Sequence, residues 1–215
     1  SPAMKQFALL TAGLVILAAQ PASAAVTQIT TPDLAYTSGT TLLAITGADY
    51  TAISGLTDGI VSLTFDAGQV RSVSGSWSTW GSPPDTEGAN PKIIYTGGPS
   101  TITFQSDKVL SVFGFEAEPN PFSAHNFQID YYLGGVLQGT VNRVANGSAG
   151  ARLMAASGKF DKAVVTSTAN FAFGQVRYDV SAVPEPATWA MMIIGFGAVG
   201  GAVRNQRRRQ TLAFA

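Results

Sequence analysis

The chain has no cysteine and a single histidine. The first absence excludes disulfides, thiolate nucleophiles and thiolate metal sites, and the second excludes any site built on paired imidazoles. Charge is also sparse, at 12% of residues. Over residues 25–182, eight Lys and Arg stand against twelve Asp and Glu, a net charge of −4 that the neutral total of the whole chain hides. A mildly acidic stretch with no basic stripe argues against nucleic-acid binding and against docking on anionic lipid. Long helical periodicity is missing too. Long apolar runs occur only near the two ends.

At the N-terminal end, Ser1, Pro2 and Ala3 precede Met4 and read as lying upstream of the natural start. Lys5, an apolar run of about 13 residues from Phe7 to Ala19, and Ala22-Ser23-Ala24 give the three-part pattern of a secretory signal peptide over residues 1–24, with cleavage expected after Ala24. At the other end stand Val183-Pro184-Glu185-Pro186-Ala187-Thr188-Trp189-Ala190, an uncharged stretch reaching Val203, and then Arg204 and Arg207-Arg208-Arg209. Residues 187–203, about 17 in all, are at the short end of what spans a bilayer as a helix. Arginines directly after the span keep that end in the cytoplasm, so the bulk of the protein is expected on the far side. The two prolines around Glu185 hold the segment extended, ready to be threaded into a protease cleft, and Trp189 suits the water–lipid boundary. An ordinary single-span anchor needs a span and a basic flank, but not the remaining features.

The order Pro184-Glu185-Pro186, Trp189-Ala190, Gly-containing span and Arg204, Arg207, Arg208, Arg209 resembles the sorting signal of the PEP-CTERM family in its PEPxxWA variant. The resemblance implies processing by exosortase, a membrane-embedded enzyme of Gram-negative bacteria. It further implies an inner-membrane-anchored precursor that later reaches the cell surface or extracellular matrix, and association with exopolysaccharide. The expected organisation is a signal peptide (1–24), an exported domain (25–182), and a sorting signal (183–215) comprising a transmembrane helix (187–203) and a basic tail.

Between the ends, short runs of Val, Ile, Phe and Tyr alternate with Gly, Asp, Asn, Ser and Pro clusters, which predicts an all-β domain. Strands are expected at 41–46, 60–65, 70–77, 92–95, 101–105, 109–116, 127–133, 136–143, 151–155, 159–167 and 171–180, after a loosely ordered entry or edge strand over 25–39. Gly134-Gly135 between two alternating segments predicts a tight hairpin, because both turn residues need positive φ. Alternation predicts one shared face for Phe127, Ile129, Tyr131 and Leu133, one for Val109, Ser111, Phe113 and Phe115, and one for Ala172, Gly174, Val176 and Tyr178. Many short strands with turns between them favour an antiparallel β-sandwich, jelly-roll-like, over a barrel. From Thr101 to Val180 the strand order also resembles the jelly-roll ectodomains of PEP-CTERM proteins. Where those often carry Asp in the last strand this chain has Gly174.

Two stretches carry candidate chemistry. Trp77 and Trp80, among small polar residues, could form a stacking platform for sugar rings; a tryptophan pair is more often packing, with Trp77 ending a core strand and Trp80 covering a sandwich edge. Glu116, Glu118 and His125 are expected in a loop after a core strand, where they could serve acid/base work or a metal. No nucleophile elbow, histidine pair or spaced carboxylate fixes their geometry, so a solvated loop is the expectation. Asp58, Asp66, Asp107 and Asp161 offer oxygens without a calcium-loop signature, and Asn146-Gly147-Ser148 reads as a turn. No metal, cofactor or catalytic residue is assigned. The function expected is non-catalytic binding or adhesion, against a glycan hydrolase or lyase using Glu116, Glu118 or His125, or a purely structural envelope protein.

Overall fold

The computed structural model describes residues 26–181, 192–197 and 199. The signal peptide and the sorting-motif residues expected from the sequence lie outside these. Among the described residues no helix is long and apolar enough to cross a membrane; 192–197 are helical, and most of the span expected at 187–203 is not described.

Over residues 26–181, ten strands and one short helix follow each other as β1 (Thr27–Ile29), α1 (Leu34–Ser38), β2 (Thr41–Leu43), β3 (Ala52–Thr57), β4 (Ser62–Ser72), β5 (Lys92–Tyr95), β6 (Thr101–Pro119), β7 (Ala124–Leu133), β8 (Val136–Asn146), β9 (Arg152–Ser167) and β10 (Phe171–Val180). All pairings between these strands are antiparallel. The long strands β4, β6 and β9 each replace two expected short ones. Their central Asp, Gly and Lys clusters do not end the strand: β6 loses register between Gln105 and Leu110, where it bends and passes from one layer to the other.

One layer runs β3, first half of β4, first half of β6, second half of β9, β7, β8. The other holds the second half of β4, then β5, β10, the second half of β6, the first half of β9 and β1, with β2 added alongside β10. The chain is therefore an antiparallel β-sandwich whose layers share three strands. Between them lies an aromatic core in which Phe104 of the first layer meets Phe113, Phe115 and Phe173 of the second at ring-centroid distances of 5.1–5.3 Å, and Phe127 meets Phe171 at 5.1 Å. The Phe104–Phe113, Phe104–Phe173 and Phe127–Phe171 contacts are edge-to-face, a geometry that adds to the burial of the rings themselves.

The hairpin between β7 and β8 forms as expected, with φ of 55° at Gly134 and 84° at Gly135. Phe127, Ile129 and Tyr131 point into the core and are fully buried. The expected shared face on β10 does not form. Gln175 takes φ 48° at a register shift between Gly174 and Arg177, so Phe171, Phe173, Val176 and Tyr178 face the core while Ala172 faces outward. A bulge likewise exchanges faces on β6: Val109 is exposed, and Leu110, Phe113 and Phe115 are buried.

The entry segment is ordered. Thr27, Gln28 and Ile29 pair with Ser157, Ala156 and Ala155, and Asp33 caps α1 by accepting from the Tyr36 amide at 2.9 Å. Tyr36 packs on the outer face of the second layer with Leu153 and Ala155. Gly114 makes this approach possible, since a Cβ there would stand 2.3 Å from the Ala155 Cβ and 2.5 Å from the Tyr36 hydroxyl. Gly114→Ala is accordingly expected to cost about 1–3 kcal/mol of stability through overpacking, read as a lower urea midpoint; an unchanged midpoint would contradict the close packing.

Candidate functional site

Strand β6 places its side chains alternately inward and outward. Phe113, Phe115 and Ala117 enter the core, so Glu116 and Glu118 project from the opposite face. The expectation of a solvated loop is corrected here: both glutamates lie within β6 and are 0% and 1% exposed. The cover is the connection between β4 and β5, which folds back over the sheet and brings its tryptophans onto the carboxylates.

Trp80 is buried among Val73, Ile93, Ala151 and Ala172, and its Nε1 donates to Glu116 Oε2 at 2.8 Å. Gly174 makes room beneath it, since an added Cβ would meet the indole at 3.3 Å. The Glu87 amide donates to Glu116 Oε1 at 2.5 Å. Trp77 Nε1 points at Glu118 Oε2 from 3.4 Å, and the Thr79 hydroxyl donates to Glu118 Oε1. Two stretches that look unrelated in the sequence thus form two Trp–Glu pairs under one loop. Arg177 fastens the arrangement from behind: its Nε donates to Glu87 Oε1 at 2.8 Å, and its Nη1 donates to the Thr37 and Thr40 carbonyls at 3.1 and 3.2 Å.

Burial raises both glutamates, Glu116 to about 7 against the opposing pull of the Glu87 amide and the Trp80 N–H, and Glu118 to about 7 against its bonds to Thr79 and Trp77. Only one of them reaches open space. Glu118 lines a cleft of about 230 Å³ whose walls include Arg71, Trp77, Thr79, Tyr95 and Asn120, with Phe122 also contributing. Trp77 and Tyr95 lie 5.4 Å apart, tilted by 44°, and Asn170 donates to the Tyr95 hydroxyl at 2.7 Å, fixing that ring. Trp80 does not line the cleft.

His125 stands apart, at the start of β7, with its ring nitrogens 2.9 Å from the Ser123 hydroxyl and 2.8 Å from that of Thr168. Neither glutamate is a partner. Among the described residues no group of three His, Asp or Glu side chains converges to hold a metal ion. The four aspartates noted in the sequence hold backbone instead: Asp58 accepts from the Ile60 and Val61 amides, Asp66 from Thr103, Asp107 from Ser62 and Asp161 from Gly134.

Tyr95, Arg71 and Asn120 went unnoticed in the sequence. One available signal was the period of two on β6, which sets Glu116 and Glu118 on the face opposite Phe115 and Ala117. Nothing local marks which loop covers that face.

No curated protein matches the chain. Residues 182–209 match the family described as the PEP-CTERM protein-sorting motif, covering Pro184, Glu185, Pro186, Trp189, Ala190 and the arginines, all beyond the described residues. The β-sandwich therefore belongs to a chain that carries a PEP-CTERM sorting motif, an exported protein sorted by exosortase.

Proposed function

We propose that the exported domain is a non-catalytic carbohydrate-binding module, acting in adhesion or attachment to exopolysaccharide at the surface or in the extracellular matrix of a Gram-negative bacterium. The observation that carries this reading is the cleft itself, in which the Trp77 and Tyr95 rings stand beside the polar groups of Glu118, Thr79 and Asn120. Aromatic faces take up the C–H face of a pyranose, and a few convergent donors and acceptors fix its hydroxyls.

Hydrolysis is the weaker reading. Glu118, raised to about 7 beside a cleft, has the property of a general acid. Yet glycoside hydrolysis ordinarily uses two carboxyl groups flanking the scissile bond, and Glu116 is closed off by Trp80 and the Glu87 amide. A Glu118→Gln variant that kept binding and lost turnover would favour the enzyme.

The test is titration of the full chain with a panel of oligosaccharides, followed by tryptophan fluorescence. Trp77→Ala is expected to weaken binding about tenfold or more, the worth of one stacked ring. Unchanged affinity in that variant would remove the proposal. Trp80→Ala is unsuitable for this purpose because Trp80 holds the loop from beneath.

A further inference from the structure

Among the described residues Arg71, at the end of β4, is the only cation lining the cleft. Its guanidinium lies over the Tyr50 ring, with Cζ 3.9 Å from the centroid, and 5.7 Å from that of Tyr95. Nη2 donates to Gln69 Oε1 at 2.9 Å, so the group is held in place. Nη1 is enclosed and has no hydrogen-bond partner, and among the described residues Arg71 joins none of the ion pairs. A positioned cation that lines a cleft and has no counter-charge is complementary to an anionic oxygen.

From this geometry we infer that the cleft selects an anionic saccharide, one whose carboxylate or sulfate ester meets the Arg71 guanidinium while its ring lies against Trp77. The inference rests on the carbohydrate-binding reading and adds the class of sugar. A planar fork of N–H donors suits such oxyanions better than a point charge does. Glu118, the other charged residue of the cleft, is bonded to Thr79 and Trp77 rather than to Arg71. It is available to accept from a sugar hydroxyl. Its raised titration leaves it protonated in mild acid, when Arg71 is the cleft's remaining charge, so acidic sugars should bind more tightly at about pH 5.5 than at about pH 8.

The experiment is a titration of the full chain with a galacturonic acid trisaccharide, with the same trisaccharide reduced to the neutral alcohol at each carboxyl, and with a sulfated form of the neutral one. The acidic sugar is expected to bind about tenfold more tightly than the neutral one, with a preference that shrinks as salt rises. Arg71→Gln should abolish the preference for the acidic sugar, and Arg71→Lys should restore part of it. Sulfated sugar binding like the uronate would show that the anionic charge is read in either form. Equal binding of acidic and neutral sugars by the unaltered chain, with Trp77→Ala still weakening both, would overturn the anionic class and leave the carbohydrate module standing. Binding of none of the three would overturn both. The salt dependence is measured on the unaltered chain and holds whether or not the Arg71 variants fold.

Discussion

Replacing Trp80 with alanine is expected to cost about 3–5 kcal/mol of unfolding free energy, the usual range for emptying a buried aromatic site. Trp80 is 1% exposed. Its ring fills the space between the β4–β5 connection and the outer face of the second layer, and its N–H is one of two donors to Glu116. The substitution removes the ring and its N–H, leaving a cavity and a buried carboxyl with the Glu87 amide but without its indole donor. The Trp80 cluster is distinct from the core between the layers, so the damage should be local as well as large. Far-UV circular dichroism at low denaturant should stay that of the β-sandwich, while the urea midpoint falls and hydrogen exchange accelerates across residues 73–91. Trp80→Phe should recover packing without the hydrogen bond. A loss below about 1 kcal/mol in Trp80→Ala would mean that the connection is held some other way.

The second large effect is a decline in stability between mild acid and neutrality. Glu116 and Glu118 are both raised from 4.5 to about 7 by burial. A carboxyl with a higher pKa in the folded chain holds its proton more tightly there, so protonation favours folding. Their contribution is complete below about 4.5, is lost as pH rises through about 7, and is flat above that. Each shift corresponds to roughly 3 kcal/mol at most. Asp49 and Asp58 oppose this trend only in stronger acid, because hydrogen bonds from Ser72 and from Tyr178 respectively hold them below the usual carboxylate range. Urea midpoints should therefore be lower at about pH 8 than at about pH 5. Glu118→Gln should remove about half of the difference, since the Thr79 hydroxyl can rotate to accept from the new amide. A midpoint that holds steady or rises over the same interval would exclude buried, raised glutamates.

The all-β class and the Gly134-Gly135 hairpin were legible in the sequence because both are written in local patterns. Strands β5 and β10 fall on the expected ranges of 92–95 and 171–180. What misled was the meaning of breaks. Asp66-Ala67-Gly68 and Ser106-Asp107-Lys108 look like turns, but each lies inside a continuous strand at a bend between layers. Gln175 similarly reverses the faces of β10 through one backbone angle, which alternation alone does not disclose. The site suffered from a different gap. Trp77 and Trp80 are about forty residues from their glutamate partners, and a pairing of that range depends on how the sheet is assembled.

The direction of β10 fixes where the cleft stands relative to the point at which the chain leaves the sandwich. Ala172 pairs with Glu118 at the cleft end, and Val180 pairs with Leu110 at the other. Ser181 still donates to the Val109 carbonyl at 3.0 Å, and the sorting motif begins at residue 182. The tether from the last anchored residue to Pro184 is therefore three residues, a reach of about 10 Å when fully extended. Along β10, the eight residue-to-residue steps from Ala172 to Val180 measure about 27 Å. The Trp77 cleft thus stands most of a strand's length from the corner at which the chain leaves for its sorting motif, so one strand holds the candidate binding end and the sorting end apart.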